Sequence, residues 1–500
     1  MPAAVAVQNL DIRAVGVAAN VLNWSANMAH VPDSLRTELR ALLGAEHLIE
    51  SGDSLETLSK DFYWYSPVLK RLLVDKRAEV VARPGSLAEL RQVVAACYRA
   101  GTPVVPRGAG TGNYGQCVPL YGGVVIDLAR LATIHSVDGG VLRAEAGARL
   151  GTIETVARAA GWELRCLPST WVKSSLGGFF CGGSGGIGSI TWGGINGGDN
   201  VKSVTLLTCE AEPRLIKIEE RDTLKALHTY GTTGLMVEIE MRLAPKIDYD
   251  QLIFSAADWN RLLTWTDGAA RNAAWPKRLV TQFQWPIPSF FKPLMKYFLT
   301  GEHVSFLLVD RAVTDRVVAA AKAAGLACVY RQPLSDPPKP PFITDYTWNH
   351  TTLWAMNTDP AITYLQAGFG PDFRGQFAEL ERRFPGEILL HLEWVAGNSK
   401  MARTATSDET PAGNIVVGGI PLVHFKSEAR LNEIIAACLE IGVGIANPHT
   451  CFLEEGGRHP NIADKRAFKT EVDPRGLLNP GKMKTYPHNP FAKEPAAAAV

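Results

Sequence analysis

Nine residues in the first third of the chain, RGAGTGNYG from Arg107 to Gly115, include four glycines. Three of them form G-x-G-x-x-G: Gly110, Gly112 and Gly115. A Rossmann fingerprint must open a helix, but here a proline and two further glycines lead into a strand. A P-loop needs a lysine where Gln116 stands. The spacing therefore favours a loop between two strands whose backbone N–H groups bind a pyrophosphate, with the arginine supplying charge or structure.

A second glycine-rich stretch, SSLGGFFCGGSGGIGSITWG, runs from Ser174 to Gly193. The 46 glycines of the chain concentrate between Gly101 and Gly198 without a fixed period, so neither collagen nor low complexity explains them. One such loop could be a plain connection. Two in one region indicate a long ligand held at several points.

Several side chains beyond residue 245 could move a proton. They are His350 in DYTWNHTTLW, His391 and Glu393 in LLHLEW, His424 in PLVHF, and His449 in ANPHTCFLEEGG. On a strand, His391 and Glu393 share a face, where they could orient one imidazole or hold a metal. Each histidine could equally have a structural role.

The elements around the glycine loops alternate between strand and helix, which indicates an α/β layer. A capping box at Ser86 and Glu89, an apolar face and Gly101 predict a helix between Ser86 and Gly101. Apolar runs predict strands at 79–82, 103–106, 123–128, 141–146, 201–208 and 235–243, and a second helix at 150–160. Pro245 ends this pattern, and we place a domain boundary there.

The composition limits the partners. With 51 basic and 50 acidic residues, the chain has no general attraction for nucleic acid or an anionic membrane. Its eight cysteines form no C-x-x-C pair and are interpreted as reduced and mostly buried. No stretch predicts a secretory signal or a membrane helix, so we expect a cytoplasmic protein. The aromatic segment from Trp285 to Phe298 leaves peripheral membrane contact open.

The motifs resemble those of the FAD-linked oxidases of the vanillyl-alcohol oxidase and p-cresol methylhydroxylase (PCMH) type. Members typically show R-G-G-G-T-S and G-G-V-V-I-D-L, where this chain has RGAGTG (107–112) and GGVVIDL (122–128). Their I-G-G-N-I-A-T-N-A-G-G corresponds to LGGFFCGGSGG (176–186), followed by Trp192-Gly193 and by Asp199-Asn200-Val201. Their G-T-L-G-I-I-T-E corresponds to GTTGLMVE (231–238), and D-P-x-x-L-L-N-P-G-K to DPRGLLNPGK (473–482).

The resemblance implies an α+β protein with a PCMH-type, two-subdomain FAD-binding domain and an α+β cap that determines the substrate. The expected division is an N-terminal helical extension (1–75), the FAD-binding domain (76–245), the cap (246–460), a C-terminal segment returning to the FAD-binding domain (461–492) and a disordered tail (493–500). The cap matches the family only loosely.

The resemblance also implies a set of FAD-binding residues. They are Pro106, Arg107, Gly108, Ala109, Gly110, Thr111, Gly112 and Asn113 around the pyrophosphate, Pro168, Ser169, Ser174, Ser175, Gly178, Gly182, Gly183 and Gly186 along the ribityl and flavin path, and Leu235 and Met236 at the adenine end. Members that tether FAD through a histidine in the first loop carry it where this chain has Thr111. We therefore expect non-covalent FAD, although a cap residue could still bond the flavin.

With a flavin bound, the protein needs a base that takes a proton as hydride leaves a hydroxylated substrate. Relatives acting on D-2-hydroxy acids usually carry H-x-G-D-G-N-x-H, a metal motif absent here, and we predict no metal. Their E-H-G-I-G stretch falls near His449, which becomes the first candidate for the base, before His391, Glu393 and His350. The expected activity is oxidation of a small alcohol or 2-hydroxy acid, with oxygen, a quinone or a redox protein as acceptor.

Two alternatives stay open. The chain could be a non-catalytic FAD-binding subunit of a larger dehydrogenase complex, because its metal motif is missing. It could also be a reductase in which NADPH reduces the flavin and the flavin reduces an enol.

Overall fold

The computed structural model describes residues 29–195, 199–397, 414–457 and 461–491. The N-terminal segment folds into short helices and one strand: α1 (Asp33–Leu43), β1 (Leu48–Ile49), α2 (Gly52–Leu58) and α3 (Pro67–Leu73). Helix α1 buries Leu35, Leu39 and Leu43, which recur every four residues and so share one face. Strand β1 pairs with the first strand of the next domain, so this segment is part of the fold.

A four-stranded sheet forms the first half of the region from 76 to 245. Its elements are β2 (Val80–Ala82), α4 (Leu87–Ala100), β3 (Val104–Arg107) and β4 (Val124–Asp127), in the strand order β1-β2-β4-β3. Ser86 caps α4 as predicted, since its Oγ accepts from the Glu89 N–H at 3.2 Å. Glu89 Oε2 accepts from the Gly85 N–H at 2.7 Å, one residue before the N-cap residue that a capping box would use. Strands β3 and β4 are parallel neighbours, and the first glycine loop lies in the connection between them.

A second, antiparallel sheet forms the other half. It contains β5 (Ile134–Asp138), β6 (Val141–Glu145), β7 (Trp162–Leu164), β8 (Val201–Leu207), β9 (Leu215–Glu219) and β10 (Leu235–Pro245), with helices α5 (Leu150–Ala159), α6 (Leu176–Gly182) and α7 (Ser189–Trp192). The order is β5-β6-β10-β8-β9, with β7 on the far end of β10. Two sheets in this region agree with the two expected subdomains, and β10 ends at Pro245 as predicted.

The cap is built on an eight-stranded sheet with a three-stranded sheet beside it. Its strands are β11 (Tyr249–Ala256), β12 (Lys277–Phe283), β13 (His303–Asp310), β14 (Ala327–Pro333), β15 (Ile362–Tyr364), β16 (Ala367–Gly368), β17 (Ile388–Leu389), β18 (His391–Ala396), β19 (Ile415–Gly419), β20 (Leu422–His424) and β21 (Gly444–Ile445). Its helices are α8 (Trp259–Arg271), α9 (Ile287–Phe290), α10 (Thr314–Ala323), α11 (Asn349–Met356), α12 (Phe373–Arg383) and α13 (Glu428–Glu440). The strand orders are β14-β11-β13-β12-β18-β19-β16-β21 and β15-β20-β17.

The C-terminal segment, with α14 (Ile462–Val472), returns to the first sheet. The Val104 N–H donates to Leu477 O at 2.8 Å, and the Asn479 N–H donates to Val104 O at 2.7 Å. The segment thereby pairs with the outer strand β3 and covers an edge that would otherwise be open. The predicted tail, 493–500, lies outside the described residues.

Buried ion pairs join the FAD-binding region to the cap. Arg158 donates to Glu163 at 2.7 Å, and Glu163 also accepts from the Tyr249 hydroxyl at 2.7 Å. Arg278 on β12 donates to Glu154 on α5 at 2.8 Å. These charges have almost no exposed surface. The Arg278–Glu154 pair crosses the boundary, so each of its two buried charges depends on the other domain for its partner.

Most of the cysteines, and three aromatic rings of the segment from Trp285 to Phe298, are buried. Six cysteines are buried, Cys181 is half-buried and Cys328 is exposed, and all eight are free thiols. In the segment from Trp285 to Phe298, Phe290, Phe291 and Phe298 are buried, so these aromatic rings serve the core. Within the described ranges, no helix is both long and apolar enough to cross a bilayer.

Candidate active site

A cavity of about 1080 Å³ lies between the two glycine-rich loops and the cap. Ligand pockets typically measure roughly 300–1,000 Å³, so this one accommodates a long ligand with room beside it. The first loop and the second glycine-rich stretch line one side. The cap contributes Phe342, Asp345, Trp348, Asn349 and His350 from the opposite side.

The first loop is supported from beneath by Arg107. The guanidinium is buried and donates from Nη1 to Lys60 O at 2.5 Å and to Cys117 Sγ at 3.2 Å. Gly110 has φ +67°, and a Cβ there would collide with this guanidinium. Among the described residues, no acceptor receives the N–H groups of Gly110, Thr111 or Gly112. The loop therefore presents unpaired donors to an anionic ligand.

Hydroxyl groups tie the two glycine-rich loops together. Thr111 Oγ1 lies 2.9 Å from Ser174 Oγ, which lies 2.7 Å from Thr170 Oγ1. Ser175 caps α6 by accepting from the Gly178 N–H at 3.3 Å, and the same oxygen accepts from the Ala109 N–H at 3.2 Å. These hydrogen bonds fix the two loops relative to each other.

The C-terminal segment braces the same loops through backbone carbonyls. Asn479 Nδ2 donates to Gln116 O at 2.8 Å and to Tyr230 O at 2.7 Å. Lys482 Nζ, fully buried, donates to Gly115 O at 2.6 Å. The motif at 473–482 thus fixes the cavity wall without lining it.

Comparisons with known proteins agree with this geometry. The family described as FAD binding domain matches residues 78–215. Glycolate oxidase subunit GlcD of Escherichia coli is 27% identical over 454 residues, covering 81% of this chain and 83% of that protein. The mitochondrial D-2-hydroxyglutarate dehydrogenase of Arabidopsis thaliana is 25% identical over 227 residues, covering 43% of this chain and 39% of that protein. The chain is an FAD-dependent oxidoreductase.

The fold of this oxidoreductase is similar to that of a solved enzyme. A structure of alkyldihydroxyacetonephosphate synthase superposes with a TM-score of 0.64 at 15% identity, covering 92% of this chain and 88% of that one. An identity this low speaks for the fold alone, and it confirms the expected α+β architecture.

FAD fits the donor set of the cavity. The unpaired N–H groups of the first loop suit a pyrophosphate, and the glycine-lined walls admit flat rings. The predicted FAD-binding residues that line the cavity are Pro106, Arg107, Gly108, Ala109, Gly110, Thr111, Gly112, Asn113, Pro168, Ser169, Ser174, Ser175, Gly178, Gly182, Gly183 and Met236.

Two predicted FAD-binding residues lie outside the cavity lining. Leu235 is fully buried in the apolar core with the first sheet, because it precedes Met236 on β10 and successive side chains point to opposite faces. Gly186 lies against the backbone of Leu167 and Pro168, where a Cβ would have no room. Gly186 thus allows Pro168 and Ser169 to approach the cavity.

The structure places His449 away from the cavity lining. Its Nδ1 lies 2.8 Å from Ser66 Oγ and its Nε2 lies 2.9 Å from Tyr364 O. With 6% of its surface exposed, the imidazole links α3 to β15. This placement favours a structural role and does not support the first choice made from the sequence.

His391 and Glu393 share one face of β18, as predicted, but also lie outside the lining. His391 Nε2 is 2.9 Å from Glu393 Oε1, which also accepts from the Trp348 N–H at 3.0 Å. Burial raises the pKa of Glu393, while His391 opposes that shift. Within the described ranges, no group of three or more His, Cys, Asp or Glu residues could hold a metal.

Of the four predicted catalytic residues, all of them described by the structure, His350 alone lines the cavity. Burial, together with the nearby charge of Lys173, lowers the pKa of His350 to about 4. The imidazole is therefore neutral near pH 7 and can accept a proton. Lys173 and Arg149 line the same cavity, and the Arg149 guanidinium donates to Lys173 O.

Sequence reasoning missed several lining residues. The aromatic residues Phe62, Tyr63, Trp64 and Tyr65 line the cavity, but their side chains alone give no signal of a ligand. Burial raises the pKa of Asp345, another lining residue, to about 6. His228, Tyr230 and Trp348 line the cavity with φ values of 55°, 55° and 53°. Such backbone conformations cluster at functional sites but leave no signal in the sequence.

Proposed function

We propose that this enzyme oxidises a small 2-hydroxy acid, with His350 as the base. The observation that carries the proposal is a neutral imidazole in the FAD cavity with two cationic side chains, Lys173 and Arg149, in the same lining. A base for the hydroxyl and cations for a carboxylate are what such a substrate requires. The names of two relatives, a glycolate oxidase subunit and a D-2-hydroxyglutarate dehydrogenase, support the same class.

The proposed roles follow from the positions of the side chains. Bound FAD supplies the hydride acceptor. An imidazole nitrogen of His350 takes the hydroxyl proton of the substrate, since it is uncharged at neutral pH. Lys173 and Arg149 orient the carboxylate. The resulting imidazolium is disfavoured beside Lys173, so it releases its proton to solvent water.

His350 replaces His449 as the proposed base because the ring nitrogens of His449 already have protein partners. The non-covalent attachment of FAD remains part of the proposal. Thr111 offers a hydroxyl that lies near Ser174, and no histidine stands at that position.

Anaerobic mixing of the holoenzyme with glycolate, D-lactate, D-2-hydroxyglutarate and 1,2-diols, followed at the flavin absorbance, tests the proposal. A hydroxy acid should bleach the flavin, and H350N should slow the bleaching by roughly 10²- to 10⁴-fold with FAD still bound. The matched control is H424N, at a cap histidine outside the cavity lining. Equal rates in H350N and the unaltered enzyme would refute the assignment of the base.

Lys173 provides the test of substrate class. K173M should raise the KM for hydroxy acids and leave the KM for diols unchanged, since only the acids carry a carboxylate. K322M, at an exposed lysine on α10, is the control. Bleaching by diols alone would instead indicate an alcohol oxidase. Bleaching by NADPH without a hydroxylated compound would favour the reductase, and bleaching by no compound would favour the non-catalytic subunit.

A further inference from the structure

The turn that carries His350 into the cavity is held in an uncommon backbone conformation. Trp348, directly before α11, has φ 53° and ψ −139°. Residues with an L side chain rarely adopt this region, and they keep it only where their surroundings enforce it. Asn349 and His350, the first two residues of α11, follow immediately and line the cavity.

Local hydrogen bonds stabilise the turn, but the Trp348 N–H takes no part in them. The His350 N–H donates to Thr347 O at 3.1 Å, and Thr351 Oγ1 donates to Tyr346 O at 2.6 Å. The Trp348 N–H instead donates to Glu393 Oε1 at 3.0 Å, across to β18 of the cap sheet. That carboxylate is therefore the group that receives the N–H of the strained residue.

Glu393 is itself fixed. His391 Nε2 lies 2.9 Å from Glu393 Oε1, and both side chains are almost fully buried. The His391 ring packs on Phe283 with centroids 4.7 Å apart. A buried carboxylate with two hydrogen-bond partners and a packed neighbour has little freedom to move.

The indole of Trp348 meets the FAD-binding side of the cavity. Gly185 in the second glycine-rich stretch leaves room for it, since a Cβ there would lie 3.0 Å from the indole Cη2. A shift of Trp348 would therefore disturb both the contact with Gly185 and the positions of Asn349 and His350, which follow it in the chain. The Trp348 turn therefore connects strand β18 of the cap sheet to the cavity.

We propose that Glu393, oriented by His391, is a positioning residue that holds the Trp348 turn and thereby places His350 against the substrate. The inference rests on the proposed function for the identity of the base. It assigns a role to the two cap residues that lie outside the cavity. Six charged side chains line the cavity together with His350 and are unchanged in every variant below: Lys60, Asp61, Arg107, Arg149, Lys173 and Asp345.

The test compares E393M with E393Q. E393M removes the acceptor of the Trp348 N–H, so the His350 side chain should become more exposed to solvent. Because burial lowers the pKa of His350 to about 4, that pKa should then rise toward 6.5. E393Q retains an oxygen that accepts from the same N–H and should titrate like the unaltered protein. The histidine titrations are measured by NMR on the holoenzyme labelled at histidine Cε1, with H350N to assign the signal. This readout does not depend on turnover.

Flavin reduction provides the second measurement. E393M should slow it by on the order of 10²-fold, the effect of a small misplacement of a reacting group, with FAD affinity unchanged. The matched control is L392A. Leu392 lies between the two residues but on the opposite face of β18, in the apolar core. L392A should lower stability without moving the His350 titration.

The outcomes separate the two proposals. A His350 titration that is the same in E393M as in the unaltered protein overturns the positioning role, whatever the rate of flavin reduction. A titration that moves supports the role even if H350N reduces its flavin normally, in which case only the assignment of the base fails. If E393M does not fold, H391L keeps the Trp348 bond but loosens Glu393, and a titration unchanged in H391L likewise overturns the role.

Discussion

Arg278 offers a quantitative test of how the cap is fixed to the FAD-binding domain. Its guanidinium donates to Glu154 at 2.8 Å and to Leu164 O at 2.6 Å, and it lies 3.8 Å from Glu163. R278M keeps much of the side-chain volume but leaves the Glu154 carboxylate buried without its counterion. Among the described residues, the Leu164 N–H at 2.9 Å would remain as its hydrogen-bond donor. Removing one partner of a buried ion pair costs about 3–5 kcal/mol.

The change in Tm follows from the size of the chain. An unfolding entropy of about 2.1 cal/mol/K per residue gives about 1 kcal/mol/K if the 500 residues unfold together. R278M should then lower Tm by about 3–5 °C in calorimetry of the holoenzyme at pH 7 and a fixed scan rate. The double variant R278M/E154Q should recover most of the loss, because the unpaired charge is gone.

The control is R382M, which breaks an exposed pair with Glu379 on α12. Its Tm should change by less than about 1 °C, because exposed pairs contribute little. A loss in R278M as small as in R382M would show that Glu154 tolerates the missing counterion. Failure of the double variant to recover would show that the loss comes from packing.

Three further predictions concern the cofactor and the base. Acid precipitation should release FAD into the supernatant, because Thr111 stands where relatives carry a tethering histidine; flavin in the pellet would show a tether. G110V should abolish FAD binding, since the side chain would meet Arg107 at φ +67°, whereas G268V, in open space on α8, should bind FAD fully; full flavin occupancy in G110V would overturn the loop assignment. The pH dependence of kcat/KM tests the base. With a pKa of about 4, kcat/KM at pH 5 should keep about nine tenths of its value at pH 8, whereas a histidine with an ordinary pKa near 6.5 would keep about 3%. A stopped-flow pH series distinguishes the two.

Local signals in the sequence predicted much of the fold. Ser86, Glu89 and Gly101 placed α4 within a residue of its observed ends, because caps are formed by side chains near in sequence. The glycine spacing likewise located the first loop, since its strands and its turn are defined by neighbouring residues. Strand β10 ends at Pro245, the residue at which the sequence pattern stops.

The catalytic residues depended on contacts that sequence spacing does not encode. His449 was selected from its loop composition, but the partner of its Nδ1 is Ser66, 383 residues earlier. Whether an imidazole faces a cavity or a distant helix is decided by tertiary packing. The pKa of His350 is likewise set by burial and by Lys173, which lies in another domain.

The brace formed by Asn479 and Lys482 also has a consequence for the order of events during synthesis. Lys482 and the loop carbonyl of Gly115 that it holds are 367 residues apart. At about 5–20 residues per second, the ribosome needs on the order of 20–70 s to make the intervening chain. Throughout that interval the first glycine loop lacks its support, and the outer strand beside it has an open edge. The nascent chain can therefore complete its dinucleotide-binding loop only after Lys482 has left the ribosome.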